Sequence, residues 1–93
     1  MFSSLTALAG IPTIVALSGT SLTTGVQNVL IGGLSGDALT NADYNVAVGN
    51  NTLSTDTLGS KSTAIGYEAL ATQNFTTATD SHNTAVGHQA GTS

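Results

Sequence analysis

Asp80-Ser81-His82 places the three residue types of a hydrolytic triad side by side. A triad works because the carboxylate orients the imidazole and the imidazole takes a proton from the hydroxyl. Neighbours in sequence rarely attain that geometry, so a polar loop is expected here. His82 and His88 lie on either side of a short apolar run. In a trimer, three symmetry-related histidines would meet on the axis and bind a metal or an anion. Solvent-facing or hydrogen-bonded loop histidines are the simpler expectation. Ile31-Gly32-Gly33-Leu34-Ser35-Gly36 is rich in glycine, but no Gly-Lys-Ser/Thr follows to hold a phosphate. Asn50-Asn51-Thr52 and Asn74-Phe75-Thr76 match the N-glycosylation acceptor pattern, as chance allows in a chain rich in Asn and Thr. These residues point to no cofactor, no metal and no enzyme.

Those elements repeat. Asn83-Thr84-Ala85-Val86-Gly87 matches Asn45-Val46-Ala47-Val48-Gly49 and Ser62-Thr63-Ala64-Ile65-Gly66 position by position, with Asn28-Val29-Leu30-Ile31-Gly32 as a looser first copy. The turn glycines Gly32, Gly49 and Gly66 are evenly spaced, and Gly87 follows after a slightly longer interval. A repeat of about 20 residues indicates a stacked array in which each copy has room for one or two short strands and their turns. Within each copy the side chains alternate with period two. Val29, Ile31, Val46, Val48, Ile65 and Val86 project to one face of a strand, with Thr63 and Thr84 beside them. The other face carries small residues preceded by Asn or Ser. The β-branched residues are expected to form the core, closed by Leu39, Leu53 and Leu70 from a second, shorter element. Matching Ala38-Leu39 to Thr52-Leu53 and Ala69-Leu70 requires a three-residue insertion in the first copy. Asn28, Asn45 and Asn83 are expected to form hydrogen-bonded ladders between copies.

The spacers 40–44, 54–61 and 71–82 are rich in Thr, Asp, Asn and Ser, as rim loops are. Tyr44, Tyr67 and Phe75 lie in spacers or turns, placed either to contact glycans or to fill gaps among small residues. The predicted fold is all-β: a parallel β-roll or β-solenoid of short coils with copies at 28–44, 45–61, 62–82 and 83–93, the last incomplete.

Composition narrows the function. Only 6% of the 93 residues are charged and 4% are aromatic, so a lone chain has a thin core. Small chains of this kind gain stability by oligomerising. The net charge is −4 and Lys61 is the only Lys or Arg. Phosphate recognition needs clustered cations, which argues against nucleic acid and against anionic membrane surfaces as partners. There is no cysteine, hence no disulfide and no thiolate metal site.

Residues 1–27 differ from the repeats. The apolar run Leu5–Leu17 is too short to span a bilayer, which needs about 20 residues. Pro12 interrupts any helix through it. Ala16-Leu17-Ser18 is similar to a signal-peptide cleavage site, but no Lys or Arg precedes the run. An extended anchoring arm is expected, with Leu5, Leu8, Ile11, Ile14, Val15 and Leu17 packing on the same protein's copies or on a neighbouring protein. The turn-rich stretch 19–27 is expected to be a connector.

The motifs Asn-Thr-Ala-Val-Gly and Ser-Thr-Ala-Ile-Gly, followed by Ala-Leu or Thr-Leu, resemble the head repeats of trimeric autotransporter adhesins. They resemble still more the longer-period repeats of phage tail fibres and related virion fibres. The resemblance covers residues 28–93. It implies a left-handed parallel β-roll, three chains side by side as a homotrimer, and the extra residues of the longer period bulging as loops. It further implies a structural virion protein: a fibre shaft anchored through residues 1–27 to a neighbouring virion protein. Any contact with a host glycan or receptor would lie further along the fibre, in a longer protein. A bacterial surface adhesin head is the alternative, which a basic leader would favour.

Overall fold

The computed structural model describes residues 17–92. These residues are all-β, with short strands joined by turns and no helix. The strands are β1 (Val29–Ile31), β2 (Val46–Val48), β3 (Gly59–Ser60), β4 (Thr63–Ile65), β5 (Thr79–Asp80) and β6 (Thr84–Val86). β1, β2, β4 and β6 form one parallel sheet in that order, and β3 pairs with β5, also parallel. The register follows the sequence repeat: Leu30, Ala47, Ala64 and Ala85 are successive partners, as are Ile31, Val48, Ile65 and Val86. Parallel strands need a crossover of a dozen or more residues, usually an α-helix. Here the crossover is itself extended chain and turns, and it hydrogen-bonds to the next crossover.

The turns stack as strictly as the strands. Gly19, Gly36, Leu53 and Leu70 each donate an N–H to the carbonyl of Ser35, Thr52, Ala69 and Ala90, at 2.9–3.0 Å. The corners recur too. Leu17, Leu34, Asn51, Glu68 and Gln89 all have φ between 56° and 60°, and Gln27, Tyr44, Lys61 and His82 between 53° and 63°. A left-handed non-glycine residue costs about 1–2 kcal/mol. The conformation persists because each corner is locked between copies by backbone bonds, such as Asn51 N–H to Gly33 O and Glu68 N–H to Asn50 O.

Residues 19–27 are not a connector. Thr23 and Gly25 both donate to Thr40 O, and Tyr44 donates to Val26 O, so this stretch lies on the first copy as that copy lies on the second. Leu17 shares the corner conformation of Leu34, one period further on, and its side chain is exposed. The other arm residues, Leu5, Leu8, Ile11, Ile14 and Val15, lie outside the described residues.

The core lies on the small-residue face. Ala47, Ala64 and Ala85 are buried with Leu39, Leu53, Ala69, Leu70 and Ala42, and Leu22, Leu30 and Ala90 pack against them. Val29, Ile31, Val46, Val48, Ile65 and Val86, expected in the core, project instead to the outside, with Val86 at 66% and Val29 at 47% exposure. Alternation fixes only that the two faces differ. The leucines of the crossover decide which is inside, because they reach across to the alanine face and leave room there for little more than a Cβ.

The three-residue insertion is also absent. Gly19, Gly36, Leu53, Leu70 and Gly91 share one left-handed corner, with φ of 60°, 57°, 52°, 52° and 72°. Leu22, Leu39 and Gln73 each donate an N–H to the carbonyl of that corner residue, respectively Gly19, Gly36 and Leu70. Leu39 is therefore in register with Asp56, and Leu53 with Gly36. The two positions exchange bulk: a Cβ on Gly36 would sit 2.7 Å from Leu30 Cδ2 and 2.9 Å from Leu39 Cδ1. Where Leu30 and Leu39 fill the first copy, the later copies use Leu53 and Leu70 over alanines.

Each strand of the four-stranded sheet ends in a glycine with φ between 121° and 135°, a region open in practice only to glycine. The next copy's glycine backbone lies against it: a Cβ on Gly66 would meet Gly87 O at 2.7 Å, whereas one on Gly87 would meet nothing nearer than 3.9 Å. Alanine at either position incurs backbone strain of about 1–3 kcal/mol. Gly66→Ala is expected to lose about 1–3 kcal/mol more through the added clash. Equal urea midpoints for Gly66→Ala and Gly87→Ala would contradict this close stacking.

Candidate interaction surface

Register turns each sequence position into a column. The outward face of the four-stranded sheet consists of two columns, Val29, Val46, Thr63, Thr84 and Ile31, Val48, Ile65, Val86. None of the eight is charged. Ile31, Val46 and Val48 are half-buried by their neighbours in the columns, and Ile65 is 38% exposed. The surface is uncharged and β-branched, six of its eight side chains being Val or Ile. It can lower its free energy by meeting another apolar surface, at roughly 25 cal/mol per Å² removed from water.

The residues that follow the turn glycines flank this face. Tyr67 follows Gly66 and His88 follows Gly87, so the register brings their rings to 5.1 Å at 61°. Beside them Gln89 Nε2 donates to Glu68 Oε1 at 2.7 Å. Tyr44 is exposed on the opposite flank, whereas Phe75 is half-buried, its Cδ2 2.8 Å from where a Gly59 Cβ would lie. Phe75 fills a gap; Tyr44 and Tyr67 stand out from the surface. His82 and His88 are both exposed. Among the described residues, no three His, Asp or Glu side chains converge to hold a metal.

Asp80 and Ser81 are engaged elsewhere. Lys61 Nζ donates to Asp80 Oδ2 at 2.8 Å, and Ser81 Oγ lies 2.6 Å from Ser62 Oγ. No hydrogen bond joins Ser81 to His82 among the described residues. The bond from Lys61 holds the Asp80 carboxyl below its ordinary value, and the same bond raises Lys61.

The polar interior ties the copies together. Asn45 N–H donates to Asn28 Oδ1 at 2.9 Å and Ser62 N–H to Asn45 Oδ1 at 2.8 Å. Asn28 Nδ2 and Asn45 Nδ2 donate to Ala42 O and Gly59 O. The asparagine ladder thus runs from side chain to backbone, one copy to the next. Asn83 departs from it and donates through Nδ2 to Gln73 Oε1 at 2.7 Å.

Two residues absent from the sequence expectation organise the longest spacer. Asp56 is fully buried, and its Oδ1 accepts from Gly59 N–H at 3.1 Å and Phe75 N–H at 2.8 Å. Its Oδ2 accepts from Gln73 Nε2 at 2.6 Å, and that nitrogen also lies 3.0 Å from Ser62 Oγ. A buried carboxylate is tolerated when such donors replace water. The signal was available: Asp56 comes one full period after Leu39 and Gln73 one period after Asp56, so strict periodicity puts both at an interior position.

Comparison of the chain with known protein families, curated proteins and solved structures finds no match.

Two measurements check this chemistry. Asp56→Ala leaves Gly59, Phe75 and Gln73 donors unpaired and is expected to cost at least about 1–3 kcal/mol in urea unfolding; a neutral change would contradict the buried network. The second concerns Asp80. Its depressed carboxyl stabilises the fold at neutral pH, and that contribution is lost as acid protonates it. In Lys61→Gln the Asp80 NMR titration midpoint is expected to rise. An unmoved midpoint would show that the ion pair does not form in solution.

Proposed function

We propose that this chain is a structural protein, a parallel β-solenoid whose copies form a rod and whose outward β-branched face joins three chains as a homotrimer. In this reading the trimer is a shaft segment of a phage fibre, carried on the virion. Its N-terminal part anchors to a neighbouring virion protein, and host attachment lies further along the fibre. The chain has no catalytic role and no cofactor.

The observation that carries the proposal is the uncharged double column on the outer face of the sheet. A single chain leaves its Val and Ile partly or largely wet, while the buried apolar residues are alanines and three leucines. Identical columns in three copies can meet around an axis parallel to the stack, since each level presents the same side-chain type to its symmetry mate. The motif resemblance supports the fibre reading in particular.

The outward position makes the test sharper than a core substitution would. Val48→Asp and Ile65→Asp place a charge in the trimer interface three times over and are expected to abolish the trimer. Because the side chains point away from the intrachain core, the β circular dichroism is expected to survive. Sedimentation equilibrium showing a wild-type monomer, or intact trimers of both variants, would overturn the assembly. Thr77→Asp, in the exposed spacer, is the control that keeps the trimer. Peptides of this chain absent from purified virions but present in a bacterial envelope fraction would reject the virion assignment.

A further inference from the structure

The two columns of left-handed corners stand at opposite ends of the strands. Tyr44, Lys61 and His82 precede β2, β4 and β6, and Asn51, Glu68 and Gln89 follow them. Backbone bonds between repeats hold both columns, as in Lys61 N–H to Asp43 O at 3.0 Å and Glu68 N–H to Asn50 O at 2.9 Å. The uncharged sheet face therefore lies between two fixed polar flanks. Lys61 is the only Lys or Arg of the chain and Glu68 its only Glu. They stand at the two ends of one strand, β4, with opposite charge.

Within the chain each meets a different group. Lys61 Nζ donates to Asp80 Oδ2 at 2.8 Å, and Glu68 Oε1 accepts from Gln89 Nε2 at 2.7 Å. Both keep capacity for more, since an ammonium has three N–H donors and a carboxylate a second oxygen. The Lys61 side chain is 41% exposed, so it is open to a group from outside.

The apolar columns present nearly the same side chains at every level. Two chains meeting through that face would fit almost as well after a slip of one repeat, so the face alone leaves their register open. In the homotrimer proposed above, on which this inference rests, the threefold axis runs parallel to the stack. Rotation about that axis moves no chain along the stack, so each strand meets the same strand of its neighbour. The contact is heterologous, and the end of a strand in one chain faces the start of that strand in the next. We propose that Glu68 of each chain pairs with Lys61 of the neighbouring chain and so fixes the register of the trimer. Lys61 then lies between two carboxylates, its own Asp80 and the incoming Glu68. A slip of one repeat sets Glu68 against Tyr44 or His82 and loses the pair. Charged contacts of this kind fix register more than they add affinity.

Carbodiimide coupling of the wild-type chain tests the contact, because the reagent joins an amine to a carboxylate beside it. Trimers are assembled from a mixture of light and isotopically heavy chains, coupled and digested. Peptides linking Lys61 of one isotope to Glu68 of the other are expected, beside the intrachain link of Lys61 to Asp80. Trimers that give the Asp80 link alone, or Glu68 links only within one isotope, would overturn the contact and leave the trimer standing. A wild-type chain that sediments as a monomer would remove the trimer and this contact with it.

Lys61→Gln, Glu68→Gln and the double variant supply the second test, by sedimentation equilibrium. Each single change is expected to lower the trimer association constant about tenfold, because three exposed pairs are lost together. The double variant is expected to be no weaker than the weaker single, since both remove the same pair. Losses that simply add would equally overturn the pairing.

Discussion

Everything in the described chain depends on backbone hydrogen bonds that recur once in every period of the sequence. They join strand to strand and also turn to turn and corner to corner. A chain with few large apolar residues has little else with which to offset its conformational entropy. The left-handed corners at Leu34, Tyr44, Asn51 and Lys61 follow from the same constraint, since a residue strained alone is held when its neighbours above and below share its conformation. Side chains with an amide or hydroxyl extend the bonding inward, as Asn28, Asn45 and Ser35 do by reaching the backbone of another turn.

Within that frame the interior is free to change from copy to copy. Leu30 and Leu39 fill one level, Leu53 and Leu70 the next ones, and the glycine or alanine opposite each leucine is the space it occupies. Asp56 and Gln73 then stand where a leucine stood at Leu39, and the vacated apolar position becomes a hydrogen-bonded network. That network anchors the spacer between Gln73 and Asn83, where the extra length of the last period enters. The long period is accommodated because Asp56 accepts from Phe75 on one side and Gln73 reaches Asn83 on the other.

The surface divides into an uncharged sheet face and polar flanks. The face is uncharged and mostly Val and Ile, so its attraction to another apolar surface would be non-directional. Lys61, Asp80 and Glu68 are confined to the flanks, where Lys61 pairs with Asp80 and Glu68 accepts from Gln89.

The sequence by itself determined the repeat, its strands, their parallel order and the terminating glycines. These follow from local alternation and from a period too short for a helix between strands. It also contained the register of Leu39 with Asp56, which strict spacing gives and the likeness of Leu39 to Leu53 conceals. The inside and the outside were not legible. Alternation labels two faces without naming either, so Val48 and Ile65 read as core as readily as Ala47 and Ala64. Only the tertiary structure decided it, through crossover leucines brought over the alanines by a turn whose direction no single copy encodes. The same holds for Asp56: its burial depends on donors at Gly59, Gln73 and Phe75, and only folding brings the last two, both distant in sequence, to one carboxylate.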